Sequence, residues 1–69
     1  MSKSFEILEL VGISTESASD AVKNVIFEAN KISPVAWFQV SEERGRVTPE
    51  GKIEFQVTVK VGRKLNNSK

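Results

Sequence analysis

Trp37 is the only tryptophan in this 69-residue chain, and its neighbours place it on the polar side of a strand. Alternation along the segment puts Phe38 and Val40 on one face and Trp37 with Gln39 on the other. An indole left outside the core normally stacks on a flat ligand or packs against a partner chain, because exposing a large apolar ring to water is unfavourable. The residues alone leave these two roles equally open.

The residue types that the chain lacks limit its chemistry further. The sequence contains no cysteine and no histidine, which excludes disulfides, thiolate nucleophiles, zinc sites of the usual Cys/His type and histidine acid–base catalysis. Glu42 and Glu43 are the nearest candidate acids, but adjacent carboxylates on a strand are usually solvated charges. Glu6, Glu9 and Glu54 could neutralise a cation, yet no spacing among them singles out a site. We therefore predict neither catalytic residues nor a metal site.

The charge balance also narrows the possible partners. Ten basic and nine acidic residues give a net charge of +1 at pH 7, which is too small for a general nucleic-acid binder. Contacts to an anion must therefore come from individual side chains. Arg44 and Lys64 are the candidates, with Arg46 and Arg63 ranked below them, and a solvated charge is the alternative for each.

The length of the chain predicts one domain over residues 1–69, ordered over about 3–65 and followed by a polar, disordered tail at 66–69. So short a chain obtains only a few kcal/mol from its own core, so we expect self-association. No apolar run approaches membrane-spanning length, and no charged and then apolar signal segment opens the chain. We therefore expect a cytoplasmic protein without a membrane partner.

Four elements must position these side chains, and the first is a strand. Residues 5–11 are rich in apolar and β-branched types and are followed by Gly12, where we predict that the strand stops. Both of its faces are partly apolar, with Leu8 and Leu10 on one and Ile7 on the other. We expect the helix to cover one face and a neighbouring subunit to cover the other.

The second element is a helix whose apolar residues recur at helical spacing. Ser17 is the predicted N-cap, and Asp20 three residues later is a shorter version of the capping-box carboxylate. The helix should end near Ile32, because Pro34 disfavours helical geometry at the residue before it. Phe27 lies away from the apolar stripe and is assigned to a subunit contact, with a peripheral core position as the alternative.

The second half of the chain reads as a long hairpin, with strands near 35–47 and 52–63 joined by a turn at 48–51. If the first and last turn residues pair, opposite residues have numbers that sum to 99, as in 48 with 51. This register matches the apolar faces of the two strands. Gly45 is the predicted position of a bulge, which would shift the facing of residues 42–44 near the turn.

This register places the candidate site residues relative to one another. Gly62 lies opposite Trp37 and leaves its ring face open, and Lys64 is a diagonal neighbour on the same face. Gln56 lies opposite Glu43, six residues along the strand from Trp37, or roughly 20 Å. Two side chains so far apart should not meet within one hairpin.

The order strand, helix, strand, strand, together with three segments, resembles the dodecin family. The segments are Val-Ala-Trp-Phe-Gln-Val at 35–40, Glu-Arg-Gly-Arg at 43–46 and Phe-Gln-Val-Thr-Val-Lys-Val-Gly at 55–62, and the resemblance spans about 5–65. It implies an α+β fold of β-α-β-β order, in which a three-stranded antiparallel sheet wraps around one helix. It also implies that twelve copies assemble into a hollow dodecamer.

The resemblance further implies a non-catalytic protein that binds, stores and sequesters flavin. In that family the tryptophan matching Trp37 stacks on the isoalloxazine ring, and flavins lie in pairs between symmetry-related tryptophans. The glutamine matching Gln56 hydrogen-bonds the pyrimidine edge of the flavin, although a solvated strand residue is the alternative from its position alone. Arg44 matches a family position, and Lys64 neighbours the tryptophan, so both are candidates for a flavin phosphate.

Some alternatives remain open at this stage. The flavin is riboflavin, flavin mononucleotide (FMN) or flavin adenine dinucleotide (FAD), and whether coenzyme A or metal ions also bind is undecided. A flavin-dependent oxidoreductase and a ligand-free structural shell are the competing functions. Because Trp37 and Gln56 are far apart in the hairpin, we predict that the two residues at one flavin come from different subunits.

Overall fold

A computed structural model describes residues 4–65 as one antiparallel sheet packed against a helix. The elements are β1 (Phe5–Ser14), α1 (Ala18–Ile32), β2 (Trp37–Val47) and β3 (Ile53–Lys64). The sheet order is β1-β3-β2, so β3 pairs with both other strands. The predicted α+β class and β-α-β-β order are confirmed. The tail predicted at 66–69 lies outside the described residues.

The core is formed where the helix lies across β1 and the central strand. Val57, Val59 and Val61 alternate along β3 on the face towards the helix and are fully buried. Ala21 and Ala29 are the buried residues of the helix, and their small side chains allow it to approach the sheet closely. The period of two in β3 and the helical period of α1 therefore meet in one apolar layer.

The start of α1 is fixed by side-chain hydrogen bonds. Ser17 is the N-cap as predicted, and its Oγ accepts from the Asp20 backbone N–H at 3.0 Å. Asp20 lies in the first helical turn as predicted, where its charge suits the positive end of the helix, but its capping-box role is wrong. Its carboxylate accepts from the Ser14 hydroxyl at 2.7 Å instead of returning to the cap. Ser14 Oγ in turn accepts from the Glu16 N–H at 2.9 Å. The buried Ser14 thereby joins the end of β1 to the first helical turn.

The prediction that β1 stops at Gly12 is wrong, because the strand continues to Ser14. A Cβ on Gly12 would lie 2.3 Å from the Ala21 carbonyl oxygen and 2.9 Å from Val25 Cβ. Glycine is therefore required here by the close approach of α1 to the strand, and it does not mark a turn.

The hairpin register agrees with the prediction at one end and departs from it at the other. Trp37 pairs with Gly62 as predicted, and the pairing continues regularly to Val40. The bulge lies at Ser41 rather than at Gly45. The Ser41 hydroxyl donates to the backbone carbonyl oxygen of Thr58 in β3 at 3.2 Å. Beyond the bulge every pairing is shifted by one residue.

The turn gives the physical reason for this shift. The Thr48 N–H donates to the Lys52 carbonyl at 2.7 Å, and the Gly51 N–H donates to the Thr48 carbonyl at 2.8 Å. Gly51 has φ +86°, a left-handed conformation that suits the last residue of a three-residue hairpin loop. Thr48 therefore pairs across the loop with Lys52 and not with Gly51, and the extra residue at Ser41 restores the predicted register near Trp37.

Large apolar side chains remain exposed on both faces of the sheet. Ile7, Val11 and Ile13 of β1 lie on the face away from the helix and are each more than half exposed. Within residues 4–65, twelve large hydrophobic residues are exposed, whereas only five hydrophobic residues are buried. One chain cannot cover this surface, which supports the prediction of self-association.

We expect Gly12→Ala to destabilise the fold, because its methyl group would overlap the Ala21 carbonyl oxygen and force α1 away from β1. The expected loss is about 1–3 kcal/mol, typical of an overpacked core. Urea unfolding at fixed protein concentration measures it. Ser19→Ala, on the exposed side of α1, is the control and should have little effect. An unchanged unfolding midpoint for Gly12→Ala would contradict the proposed packing.

Candidate functional site

The indole of Trp37 rests on the backbone of Gly62. A Cβ on this glycine would lie 2.1 Å from Trp37 Cε2 and 2.4 Å from Cζ2, so the indole occupies the space of a side chain. Gly62 is buried, whereas 39% of Trp37 is exposed. The ring therefore packs on the sheet on one side and remains open to a partner on the other.

An open groove of about 530 Å³ lies beside Trp37, between the start of β2 and the second half of α1. Phe27 and Phe38 contribute aromatic walls to it, and Asn30 contributes a polar group. Phe27 is 64% exposed, so the alternative of a peripheral core position is wrong for the single chain. Its assignment to a subunit contact stays a prediction.

Lys64 lies on the same sheet face as Trp37, two residues beyond Gly62. It lines a second cavity of about 420 Å³ together with Pro34 and Ala36, immediately before β2. The ammonium group is exposed, so it is available to an anion at this end of the sheet. We call Trp37, Gly62 and Lys64 the Trp37 surface.

The other two candidate residues form a second surface near the turn. Gln56 pairs with Arg44, and not with Glu43 as the uniform register predicted. Arg46 Nε donates to Glu54 Oε1 at 2.7 Å, and Gln56 Nε2 donates to the same oxygen at 3.1 Å. We call these four paired residues, Arg44, Arg46, Glu54 and Gln56, the Gln56 surface.

Glu54 is the anionic centre of the Gln56 surface. The hydrogen bonds from Arg46 and then from Gln56, with the positive charge of Arg46, hold the pKa of this carboxyl below its ordinary value. Only 18% of its side chain is exposed. From the sequence, Glu54 is a candidate only for neutralising a cation, because its partner Arg46 is identified only when the bulge is placed at Ser41. Within residues 4–65, no three acidic side chains cluster as a metal site would require.

Arg63 has a structural role instead. Its Nη2 donates to the Ala29 carbonyl oxygen at 3.0 Å, near the end of α1. A guanidinium there compensates a helix carbonyl and suits the negative end of the helix dipole. The expectation that Arg63 is a solvated charge is therefore wrong.

The structure thus brings the four predicted site residues together in pairs and not as one group. Trp37 and Lys64 lie at one end of the hairpin, and Gln56 and Arg44 lie towards the other. Gln56 and Gly62 are six residues apart on β3, which corresponds to roughly 20 Å. Both surfaces lie on the same sheet face.

Comparisons of the sequence and of the structure with known proteins identify the same family. The family model Dodecin matches residues 5–66. A dodecin from Thermus thermophilus is 35% identical over 69 residues, which cover 99% of this chain and 100% of that protein. In the described part of the chain, no helix is long and apolar enough to span a membrane.

Solved dodecin structures superpose closely on the chain. A crystal structure of an arginine-to-alanine mutant of the T. thermophilus dodecin has a TM-score of 0.86 at 34% identity and covers 97% of this chain and 100% of its own. A dodecin from Streptomyces coelicolor has a TM-score of 0.85 at 28% identity, with 96% of each chain covered. A calcium dodecin from Mycobacterium tuberculosis, at 21% identity, a TM-score of 0.83 and 96% coverage of each chain, shares the fold. The chain belongs to the dodecin family.

Proposed function

We propose that the protein binds and stores a flavin in the cytoplasm without catalysing its chemistry, using its whole length as a single domain. The observation that supports this function most directly is the indole of Trp37, which rests on Gly62 and leaves one flat face open. An isoalloxazine ring is flat, aromatic and electron-poor, so it gains offset-stacking energy as well as buried area on such a face. Its polar edges remain free for hydrogen bonds.

Two subunits complete each flavin site in this proposal. Trp37 and Gln56 are separated by roughly 20 Å within one hairpin, too far for both to contact the same ring system in one chain. The exposed apolar face of β1 provides a surface that association would bury. A homododecamer with paired flavins between symmetry-related tryptophans is the assembly that family membership favours.

The polar groups suit the edges of the flavin. The Gln56 amide has both donors and an acceptor for the pyrimidine edge, where carbonyl groups flank an imide N–H. Arg44 lies beside Gln56 in the register, and Lys64 lies beyond Trp37 on the same face. Both cations can meet the phosphate of FMN, and the planar fork of the arginine suits it best.

Storage fits the site better than catalysis. A flavin stacked in pairs is covered on both faces, which leaves no room for a substrate above its reactive nitrogen. The sequence also supplies no histidine or cysteine to transfer protons. Close stacking on the indole allows electron transfer to quench the excited flavin, so storage would also limit photochemical damage.

Trp37→Ala should abolish flavin binding, because it removes the stacking surface, while the chain keeps its secondary structure. The absorption spectrum and the light-scattering mass of one sample, before and after flavin addition, measure both effects. In the unmodified protein, flavin fluorescence should be quenched and recover on denaturation. Full affinity in Trp37→Ala, or in a monomeric variant, would contradict a stacking site shared by two subunits. Steady oxidation of a reduced nicotinamide would favour an oxidoreductase.

Gly62→Ala should also weaken flavin binding, although it adds only one methyl group. Its Cβ would occupy the position of the Trp37 ring, so the indole must move off the sheet. Flavin titration followed by quenching measures the loss, and tryptophan fluorescence reports the displaced ring. Gly51→Asn in the distant turn is the control, since asparagine tolerates a left-handed backbone. Unchanged spectra and affinity in Gly62→Ala would show that the ring does not depend on this glycine.

Arg44 and Lys64 should discriminate between flavins by the phosphate. Replacing both with alanine should weaken FMN binding by tenfold or more, roughly the value of one charged hydrogen bond, and riboflavin binding much less. Isothermal titration with both ligands at one salt concentration measures the difference. Lys23→Ala with Lys31→Ala removes the same charge from the exposed side of α1 and should spare the preference. Equal losses for FMN and riboflavin would count against a phosphate contact.

A further inference from the structure

We propose that Glu54 is a positioning residue that fixes the side-chain amide of Gln56, so that Gln56 presents its carbonyl oxygen to the imide N–H of a bound flavin. This inference rests on the proposed function and specifies how the site selects its ligand. It concerns a residue that does not itself touch the flavin.

The contacts at Glu54 determine which end of the amide is free. Glu54 Oε1 accepts one hydrogen bond from Gln56 Nε2 at 3.1 Å and one from Arg46 Nε at 2.7 Å. The nitrogen end of the Gln56 amide is thereby held along β3, towards Glu54. Its Oε1 and its second N–H remain for other partners.

The chemistry of the carboxylate makes this orientation obligatory. The two ends of a glutamine amide have nearly the same shape, so packing alone does not choose between them. An ionised carboxylate only accepts hydrogen bonds and therefore pairs with the N–H end alone. Glu54 is ionised at neutral pH, and the hydrogen bonds from Arg46 and Gln56 lower its pKa further. The orientation of Gln56 therefore depends on the charge of the neighbouring Glu54, which Arg46 holds in place at 2.7 Å.

The hairpin register is what brings these three residues together. The bulge at Ser41 and the three-residue turn place Arg46 opposite Glu54. A uniform register would place Gly45 opposite Glu54, and would set the anion Glu43 opposite Gln56. The carboxylate would then have no cation to hold it. The bulge and the three-residue turn therefore determine which end of the Gln56 side-chain amide is held by Glu54.

A fixed amide recognises one pattern of hydrogen-bonding groups. The pyrimidine edge of an oxidised flavin has one donor, the imide N–H at N3, between two carbonyl groups. The free Oε1 of Gln56 accepts from this donor, and the second Nε2 proton is available to a neighbouring carbonyl. The site should therefore reject a flavin that carries a methyl group at N3, and Glu54 should be required for full discrimination.

The test compares riboflavin with riboflavin methylated at N3 in the assembled protein. The unmodified protein should bind riboflavin at least about fivefold more tightly than the methylated form, the effect of one hydrogen bond. In Glu54→Gln the new amide can donate as well as accept, so Gln56 can turn over and the preference should fall below about twofold. Gln56→Ala measures the part of the preference that is due to the bulk of the methyl group.

Glu43→Gln is the matched control, since Glu43 pairs with Val57 on the opposite sheet face and should keep the full preference. A purely structural role for Glu54 would weaken both ligands equally. The inference is overturned if Glu54→Gln retains the preference of the unmodified protein, or if Gln56→Ala does.

A second readout needs no flavin. The sequence contains glutamine only at positions 39 and 56, so protein labelled with ¹⁵N in glutamine gives two side-chain amide signals. One Gln56 Nε2 proton should exchange with water several-fold more slowly than those of the exposed Gln39, and this protection should vanish in Glu54→Gln. Equal exchange at both glutamines would overturn the role of Glu54. An unmodified protein that shows the protection but binds no flavin would instead overturn the proposed function.

Discussion

The one-residue offset within the pairing of β2 and β3 decides which side chains of the hairpin share a face. Side chains alternate across a strand, so a displacement of one residue moves every later side chain to the opposite face. The bulge at Ser41 absorbs such a displacement between the turn and the core. Beyond the bulge, Arg44 therefore lies opposite Gln56 on the outer face that Trp37 also occupies. The valines of β3 alternate regularly and face the helix.

The helix leaves much of the apolar surface of the sheet uncovered, which favours association with another chain. One helix covers only part of one sheet face, and the small residues Ala21 and Ala29 bring it close to the valines of β3. The hairpin extends beyond the helix, in a chain whose principal extents are 53 × 20 × 16 Å. A sheet longer than its helix leaves apolar surface exposed in the single chain, as at an interaction site. In the proposed function, the same sheet would carry both the ligand site and the subunit contacts.

The regular parts of the fold were predictable because they follow periods that the sequence displays. The helical period, the Ser17 cap and the alternation of β3 predicted α1 and β3 to within about two residues of their ends, whereas β1 runs three residues beyond its predicted end. The pairing of Trp37 with Gly62 was also predictable from the matching of apolar faces. The separation of Trp37 from Gln56 was predictable in the same way, but the pairing of Arg44 with Gln56 required the bulge at Ser41.

The parts that were not predictable depend on short-range geometry. Gly12 and Gly51 are the same residue type but serve different purposes. Gly12 allows α1 to approach the strand closely, whereas Gly51 adopts a positive φ, and composition does not distinguish the two roles. Serine at position 41 is not a residue type that marks a bulge, and only the loop length at Gly51 implies an extra residue in β2.

Trp37 and Gly62 illustrate the reverse case, in which a contact in the folded structure restricts the sequence. Any residue except glycine at position 62 puts an atom where the indole lies, so position 62 is free to change only when the indole is absent. Loss of the tryptophan in a descendant of this chain would release the glycine, and a larger residue at 62 would then record that the stacking surface had been given up.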